Sequence, residues 1–141
     1  MATQTTRTTA RSSRSRLLRL ALRSDGIFEC ITGLALILGA GPISRFLGLD
    51  TPATPIVLFV LGIVLLLSAV ALFWIAAQEP INQGAALAYS AVNGVWAIGS
   101  LITLLVGWLP FSMEGKWAVG LVAAIVAFFA ELQLHGLWRV R

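Results

Sequence analysis

Five polar or titratable side chains interrupt the apolar segments of this chain, and their spacing is that of a helix face. Asp25 and Glu29 are four residues apart, Glu131 and His135 are four apart, and Asn93 lies between the two pairs. Residues four apart in a helix share one face. Carboxylates, an amide and an imidazole grouped in apolar surroundings could bind a proton, a cation or a small polar solute.

Other chemistries fit these residues less well. Hydrogen bonds between helices would use the same groups only to fix packing, with the carboxyls protonated or paired to Arg19, Arg23 or His135. Glu131 and His135 could supply two ligands to a metal or haem, but one histidine and one cysteine in the chain leave the ligand shell short. No nucleophile motif accompanies His135. We therefore expect no metal, no cofactor and no enzymatic activity.

The composition of the chain indicates the environment in which these residues lie. Of 141 residues, 58% are hydrophobic and 11% are charged, whereas about a quarter of a soluble domain is charged. A chain this short cannot hide so much apolar surface from water, so we predict an integral membrane protein whose main partner is the lipid bilayer. The basic residues flank an apolar body, which favours contact with anionic lipid headgroups over nucleic acid.

Four apolar segments are each long enough to cross a bilayer, since about 20 helical residues span the ~30 Å hydrocarbon layer. The sequence therefore predicts an all-α fold, a four-helix transmembrane bundle, with helices at about 17–40, 56–77, 84–109 and 117–138 in a domain of residues 16–141. Gly41-Pro42 is expected to end the first helix, and a short interfacial helix is expected after it. Residues 1–15 are Thr, Ser, Ala and Arg, so a disordered tail is predicted there.

The basic residues also predict the orientation. With the N-terminus inside, eight of them lie on the cytoplasmic side and two, Arg45 and Lys116, on the other, which favours cytoplasmic N- and C-termini. The rival hypothesis is a signal peptide cleaved near Gly39-Ala40-Gly41. Nine arginines against one lysine, with abundant alanine and glycine, are typical of GC-rich bacterial genomes and favour a bacterial inner membrane.

This topology gives three of the polar residues one depth. Glu29, Asn93 and Glu131 each come out ~12 Å from the cytoplasmic boundary at 1.5 Å per residue. Small residues at i+4 spacing accompany them: Ala123 and Ala127 precede Glu131, and Ala86, Ser90 and Gly94 lie beside Asn93. Small residues mark the faces where membrane helices approach each other. We therefore expect Glu131 to face other helices and to contact Glu29 and Asn93.

The first and third helices also resemble each other. Shifted by 68 positions, residues 25–44 lie over residues 93–112, with Asp25 over Asn93 and Pro42 over Pro110. A duplicated two-helix unit would give this similarity, and transporters are often built in this way, but the alignment alone favours chance slightly. The alternative is that two apolar segments align by chance.

The stretch from LLRLALRSDGIFECITGLALILGAGP to FAELQLHGLWR resembles the small four-helix bacterial membrane proteins of unknown function, with the general build of the DoxX-like group. The resemblance implies a fold class and carries over no functional residue. Two functions remain open. One is a non-enzymatic structural or accessory subunit that packs with itself or with other membrane proteins. The other is a small transporter or carrier using a cytoplasmic-side polar pocket of Glu29, Asn93 and Glu131. No proline interrupts the predicted spans, which favours the subunit.

Overall fold

The computed structural model describes the backbone of residues 3–140 and the side chains of residues 15–140. Its four helices are α1 (Thr3–Leu47), α2 (Thr54–Ala77), α3 (Gln83–Val106) and α4 (Met113–Val140). All four contain a stretch long and apolar enough to cross a membrane, so the predicted four-helix transmembrane bundle is confirmed. The predicted disordered tail, residues 1–15, lies outside the residues described in full and stays a prediction.

The first helix is interrupted at Gly39, close to the predicted end at Gly41-Pro42, and a short helix continues from there to Leu47. The bend lies at Gly39, whose φ of −115° and ψ of 18° are not helical. Pro42 has no N–H for the carbonyl one turn earlier and its ring crowds that turn, so a helix can pass through it only with a kink. The short helix expected after the first span is therefore present, and it is the part of α1 that follows the kink.

The helix ends that follow are fixed by specific hydrogen bonds. The Asn82 side chain accepts from the Ala85 N–H at 3.0 Å and begins α3. Gly107 ends α3 in the left-handed conformation, with φ 68°, which explains why α3 stops short of the predicted end at 109. Ser112 Oγ accepts from the Gly115 N–H at 2.9 Å and begins α4. The same hydroxyl donates to the Phe46 carbonyl at 2.6 Å, tying this loop to the end of α1.

Helix α1 lies at the centre of the bundle and packs against both α2 and α4, whereas α3 packs mainly against α4. The α1–α2 crossing has glycine on both sides: a β-carbon on Gly62 would lie 2.7 Å from the Gly33 carbonyl oxygen. At the α1–α4 crossing, a β-carbon on Gly136 would lie 3.0 Å from Leu18 Cα. Glycine allows backbones to approach this closely, as in other membrane helix pairs.

A small apolar core closes one end of the bundle, which we call the terminal end (residues 15–22, 72–86 and 133–140). The buried side chains there are Leu18, Leu22, Leu72, Ile75, Ala76, Ile81, Ala86 and Leu137. Arg19 donates to the carbonyls of Ala76 at 2.7 Å and Gln78 at 2.9 Å, which caps the C-terminus of α2. Most large apolar side chains elsewhere are exposed, as expected for helices that face lipid.

Burial follows the 68-residue repeat that the sequence suggested. The pairs buried at both positions are Leu18/Ala86, Leu22/Ser90, Asp25/Asn93 and Glu29/Ala97 on α1 and α3, and Leu58/Val126, Gly62/Ala130 and Ala69/Leu137 on α2 and α4. Asp25 and Asn93 also touch each other. A duplicated two-helix unit buries equivalent positions in this way, although α1 packs closely against α4 and the equivalent pair, α3 and α2, does not. The structure therefore favours duplication over chance alignment.

Candidate functional site in the polar core

Three helices meet at one oxygen atom in the interior of the bundle. Asp25 Oδ2, on α1, accepts a hydrogen bond from Asn93 Nδ2 on α3 at 2.6 Å and from Gln133 Nε2 on α4 at 2.7 Å. The exposed fraction is 1% for Asp25 and 0% for Gln133. Two short hydrogen bonds to a single carboxyl oxygen link all three helices at one point.

These polar residues continue the apolar stripes that face the bundle interior. The stripe of α1 is Leu18, Leu22, Asp25 and Glu29, and the stripe of α3 is Ala86, Ser90, Asn93 and Ala97. Steps of three and four residues keep a stripe on one helix face. The packing that buries the leucines at the terminal end therefore carries Asp25 and Asn93 inward one or two turns further on.

Glu29 lies one turn beyond Asp25 on the same face of α1 and is also buried. Its carboxyl lies beside the hydroxyl of Ser68, on α2. Tyr89 Oη, on α3, donates to the Ser68 carbonyl at 3.3 Å and accepts from the Ser68 hydroxyl at 3.5 Å. Ser68 and Tyr89 thus connect α2 to α3, and together with Asp25, Glu29, Asn93 and Gln133 they form what we call the polar core.

The polar core contains more acceptors than donors. Asp25 Oδ1, Glu29 Oε2 and Gln133 Oε1 are buried and accept no hydrogen bond from any residue that the structure describes. A buried acceptor without a partner costs roughly 1–3 kcal/mol. The amide nitrogen of Gln133 donates to Asp25, and the amide oxygen of Gln133 is the atom without a donor among the described residues.

The basic residues expected to neutralise the acids lie elsewhere. Arg19 bonds the end of α2 and pairs with Glu79 at 3.4 Å, and Arg23 is exposed. His135 is exposed and accepts from Arg139 Nε at 3.2 Å. Among residues 15–140, no basic side chain forms an ion pair with Asp25 or Glu29. The predicted pairing of these acids with Arg19, Arg23 or His135 is therefore wrong.

Glu131 and His135 are not part of the polar core, so the prediction that Glu131 contacts Glu29 and Asn93 is also wrong. Both side chains are exposed. The physical reason is helix geometry: at 3.6 residues per turn, each step of four residues rotates by roughly 40°. The row from Ala123 to His135 therefore turns by roughly 120°, and only its beginning faces the interior. The buried positions here are Val126, Ala130 and Gln133 instead.

The residue that sequence reasoning missed is Gln133. It lies seven residues from Val126 and three from Ala130, on a face that steps of three and four define. An uncharged amide draws less attention than the neighbouring Glu131 and His135. Its signal was present all the same, because a glutamine in an apolar helix needs a polar partner as much as an acid does.

Glu131 instead lies in a groove between α3 and α4 that opens to the outside of the bundle. The groove measures about 460 Å³. Its lining is almost entirely apolar and includes Leu87, Ala91, Gly94 and Ile98 of α3 with Ala127 and Glu131 of α4. Glu131 forms no hydrogen bond or ion pair with another residue in 15–140.

Metal chemistry gains no support from this arrangement. Within the described part of the chain, no three histidine, cysteine, aspartate or glutamate side chains are grouped so that they could hold a metal ion. Cys30 is half-buried and forms no disulfide. What the site offers is hydrogen-bond acceptors and two carboxyl groups in apolar surroundings.

Comparison of the chain with protein-family models, with curated proteins and with solved structures finds no match. The resemblance to the DoxX-like build stays a prediction.

Proposed function

We propose that the protein is a non-enzymatic subunit of a membrane assembly, and that it binds a transmembrane helix of another protein in the groove between α3 and α4. The observation that carries this proposal is Glu131, a carboxyl group without a partner in an outward-facing apolar groove. Nine residues separate it from the end of α4 at Val140, which is roughly 14 Å along the helix axis. With the cytoplasmic boundary near Arg139, where the basic residues of this end lie, Glu131 would be roughly 12 Å inside the hydrocarbon layer.

An acidic group at this depth favours a partner. Insertion scales give an acid near the centre of a membrane helix a cost of about 2.5–3.5 kcal/mol. A helix that brings a lysine, arginine or hydrogen-bond donor to the same depth would remove much of that cost. A second copy related by a two-fold axis along the membrane normal brings two Glu131 carboxyls to one depth, where like charges repel. A different protein is therefore the better occupant.

The shape of the groove suits a helix. Ala91 and Gly94 form its floor on α3, and Ala127 lies opposite on α4. A β-carbon on Gly94 would meet nothing within 4 Å. Faces of small residues let helix backbones approach closely, and van der Waals contact is the main force between helices in lipid.

Photo-crosslinking in cells tests the proposal. A crosslinking residue at Ile98, in the groove, should give one discrete protein adduct, and Glu131→Ala should weaken it. The control position is Leu67 on α2, whose side chain is 67% exposed but lies outside the groove. Mass spectrometry of the adduct should identify a membrane protein with a basic or donor residue in a span. Lipid adducts alone at both positions would contradict the proposal, and an adduct of two copies would make the occupant a second copy.

The orientation belongs to the same proposal: a bacterial inner membrane with both termini in the cytoplasm. The excess of arginine before Ser24 and after Trp138 supports it. Reporter fusions at the C-terminus and within residues 78–84 should report cytoplasm, and fusions within 48–52 and 112–116 should report the outside. The reverse pattern would overturn the orientation.

A second candidate function, a small carrier, is favoured by the buried oxygens of the polar core that lack partners. Intramembrane acids often mark ion or proton pathways. The groove and the polar core lie on different faces of α4, so the two functions can be tested separately.

A further inference from the structure

Three buried oxygen atoms in the polar core accept no hydrogen bond from any residue in 15–140. Asp25 and Glu29 are one turn apart on the same face of α1, and Gln133 bonds Asp25 directly. The atoms without a partner are Asp25 Oδ1, Glu29 Oε2 and Gln133 Oε1. All three side chains are more than nine-tenths buried. Buried acceptors without a donor favour a proton or a cation beside them, because lipid tails cannot satisfy them.

The charges around the cluster also favour a bound cation. On α1, Arg19 is bonded to the end of α2 and Arg23 is exposed. Helix α2 contains no titratable residue, and Tyr89 is the single one on α3. On α4 the titratable residues all lie outside the cluster: Glu131, His135 and Arg139 are exposed, and Glu114 and Lys116 lie at the opposite end of the helix. Within the described residues, the two carboxyls of the cluster therefore face no positive charge.

We propose that the polar core binds one monovalent cation, either Na⁺ or a proton carried as hydronium, through Asp25 Oδ1, Glu29 Oε2 and Gln133 Oε1. Hard cations prefer carboxylate, amide and hydroxyl oxygens, and the Ser68 hydroxyl beside Glu29 supplies a further oxygen. The negative charge that one cation leaves uncompensated is held on Asp25 Oδ2, which accepts the two amide N–H groups. This site does not depend on the groove or on any partner bound there.

The donor set argues against a transition metal. It contains two carboxyls, an amide and a hydroxyl, and neither a histidine nor a thiolate belongs to it. Such sets suit cations that bind oxygen alone. Na⁺ and hydronium are both small cations that a few oxygens can satisfy, so the experiment has to distinguish them.

The test is thermal unfolding of the purified full-length protein in mild detergent, in NaCl or choline chloride at equal ionic strength, between pH 6 and 9. If Na⁺ binds, the Tm of the wild type should rise with the logarithm of the NaCl concentration above the Kd, by roughly 5 °C at about 20 times the Kd. If a proton binds, the salt cation should not matter. The Tm should then fall as pH rises, because the folded state holds a proton that the unfolded state releases.

The variants decide whether either effect belongs to this site. Glu29→Gln should lose the dependence on Na⁺ or on pH while keeping the fold, and Asp25→Asn is a second variant should Glu29→Gln fail to fold. Glu131→Gln is the matched control and should respond as the wild type does. Equal responses of the wild type and Glu29→Gln to both NaCl and pH would overturn the proposal. So would a wild type that responds to neither.

Discussion

The helix pairs α1–α2 and α3–α4 bury equivalent positions but differ in how closely the two helices of each pair pack against each other. Gly26 of α1 lies under the ring of Phe73, where an added β-carbon would meet the ring at 3.2 Å. Its counterpart 68 residues later is Gly94 of α3, and a β-carbon there would meet nothing within 4 Å. The repeated pattern thus gives a sealed crossing in one pair and an open groove in the other.

The two helix pairs also carry different residues at several equivalent positions of the repeat. Glu131 corresponds to Ile63, and both side chains are exposed. One pair therefore presents an apolar side chain to lipid where the other presents a carboxyl. Inside the bundle, Gln133 corresponds to Leu65 and Glu29 to Ala97. The polar groups on which both proposals rest are the positions at which the repeat is broken, which is where a function added to a plain helical scaffold is expected.

The largest effect should come from adding a methyl group at the sealed crossing. In Gly62→Ala the new β-carbon would lie 2.7 Å from a backbone oxygen of α1, so the helices must separate, at a cost of about 3 kcal/mol. The matched control is Gly94→Ala, which should be neutral or gain up to about 1 kcal/mol from helix propensity. Unfolding in mixed detergent measures both. Similar losses in the two variants would show that the groove is also sealed.

The next effect should come from the oxygen at which α1, α3 and α4 meet. Asp25→Ala removes the acceptor of two buried amides, and the free energy of unfolding should fall by about 2 kcal/mol. Asp25→Asn keeps an acceptor oxygen and should cost less than half of that. The same unfolding measurement compares them. If the two variants cost the same, the negative charge itself holds the three helices, and hydrogen bonding alone does not explain the contact.

The sequence predicted α2 and α3 well because each is a long uncharged run, and α1 and α4 because an apolar stretch long enough to span continues past their few charged residues. It also placed Asp25, Glu29 and Asn93 in the interior, since depth and helix face are local properties. The rotation of α4 was not predictable in this way. That helix is apolar around most of its circumference, so its own sequence does not choose a face. The choice is made by the contact of Gly136 with the Leu18 backbone, and it turns Gln133 inward and Glu131 outward.

A smaller loss of stability should follow from breaking the hydrogen bond that links α2 to α3. Close packing between α2 and α3 is sparse, and the Tyr89 hydroxyl is bonded to the Ser68 carbonyl across it at 3.3 Å. Tyr89→Phe should lower the free energy of unfolding by roughly 0.5–1 kcal/mol. Ser100→Ala is the control, because its hydroxyl bonds only the Trp96 carbonyl of its own helix. Equal losses would mean that the α2–α3 link contributes no more than a bond within one helix.

The smallest effect on stability should come from replacing Glu131 by its repeat counterpart, in Glu131→Ile. The side chain is exposed and has no partner among the described residues, so the isolated protein should change by less than about 0.5 kcal/mol. In the membrane, removing an acid from the groove should also help insertion. Binding of a partner helix should be lost all the same, since the group that recognises its cation or donor is gone. Unfolding in detergent and the crosslink from Ile98 measure the two effects on one variant. A variant that is stable and still crosslinks would show that groove shape, and not the carboxyl, selects the partner. One that unfolds would mean that Glu131 has a partner within its own chain, and the contrast between the two helix pairs would then lie in their internal packing alone.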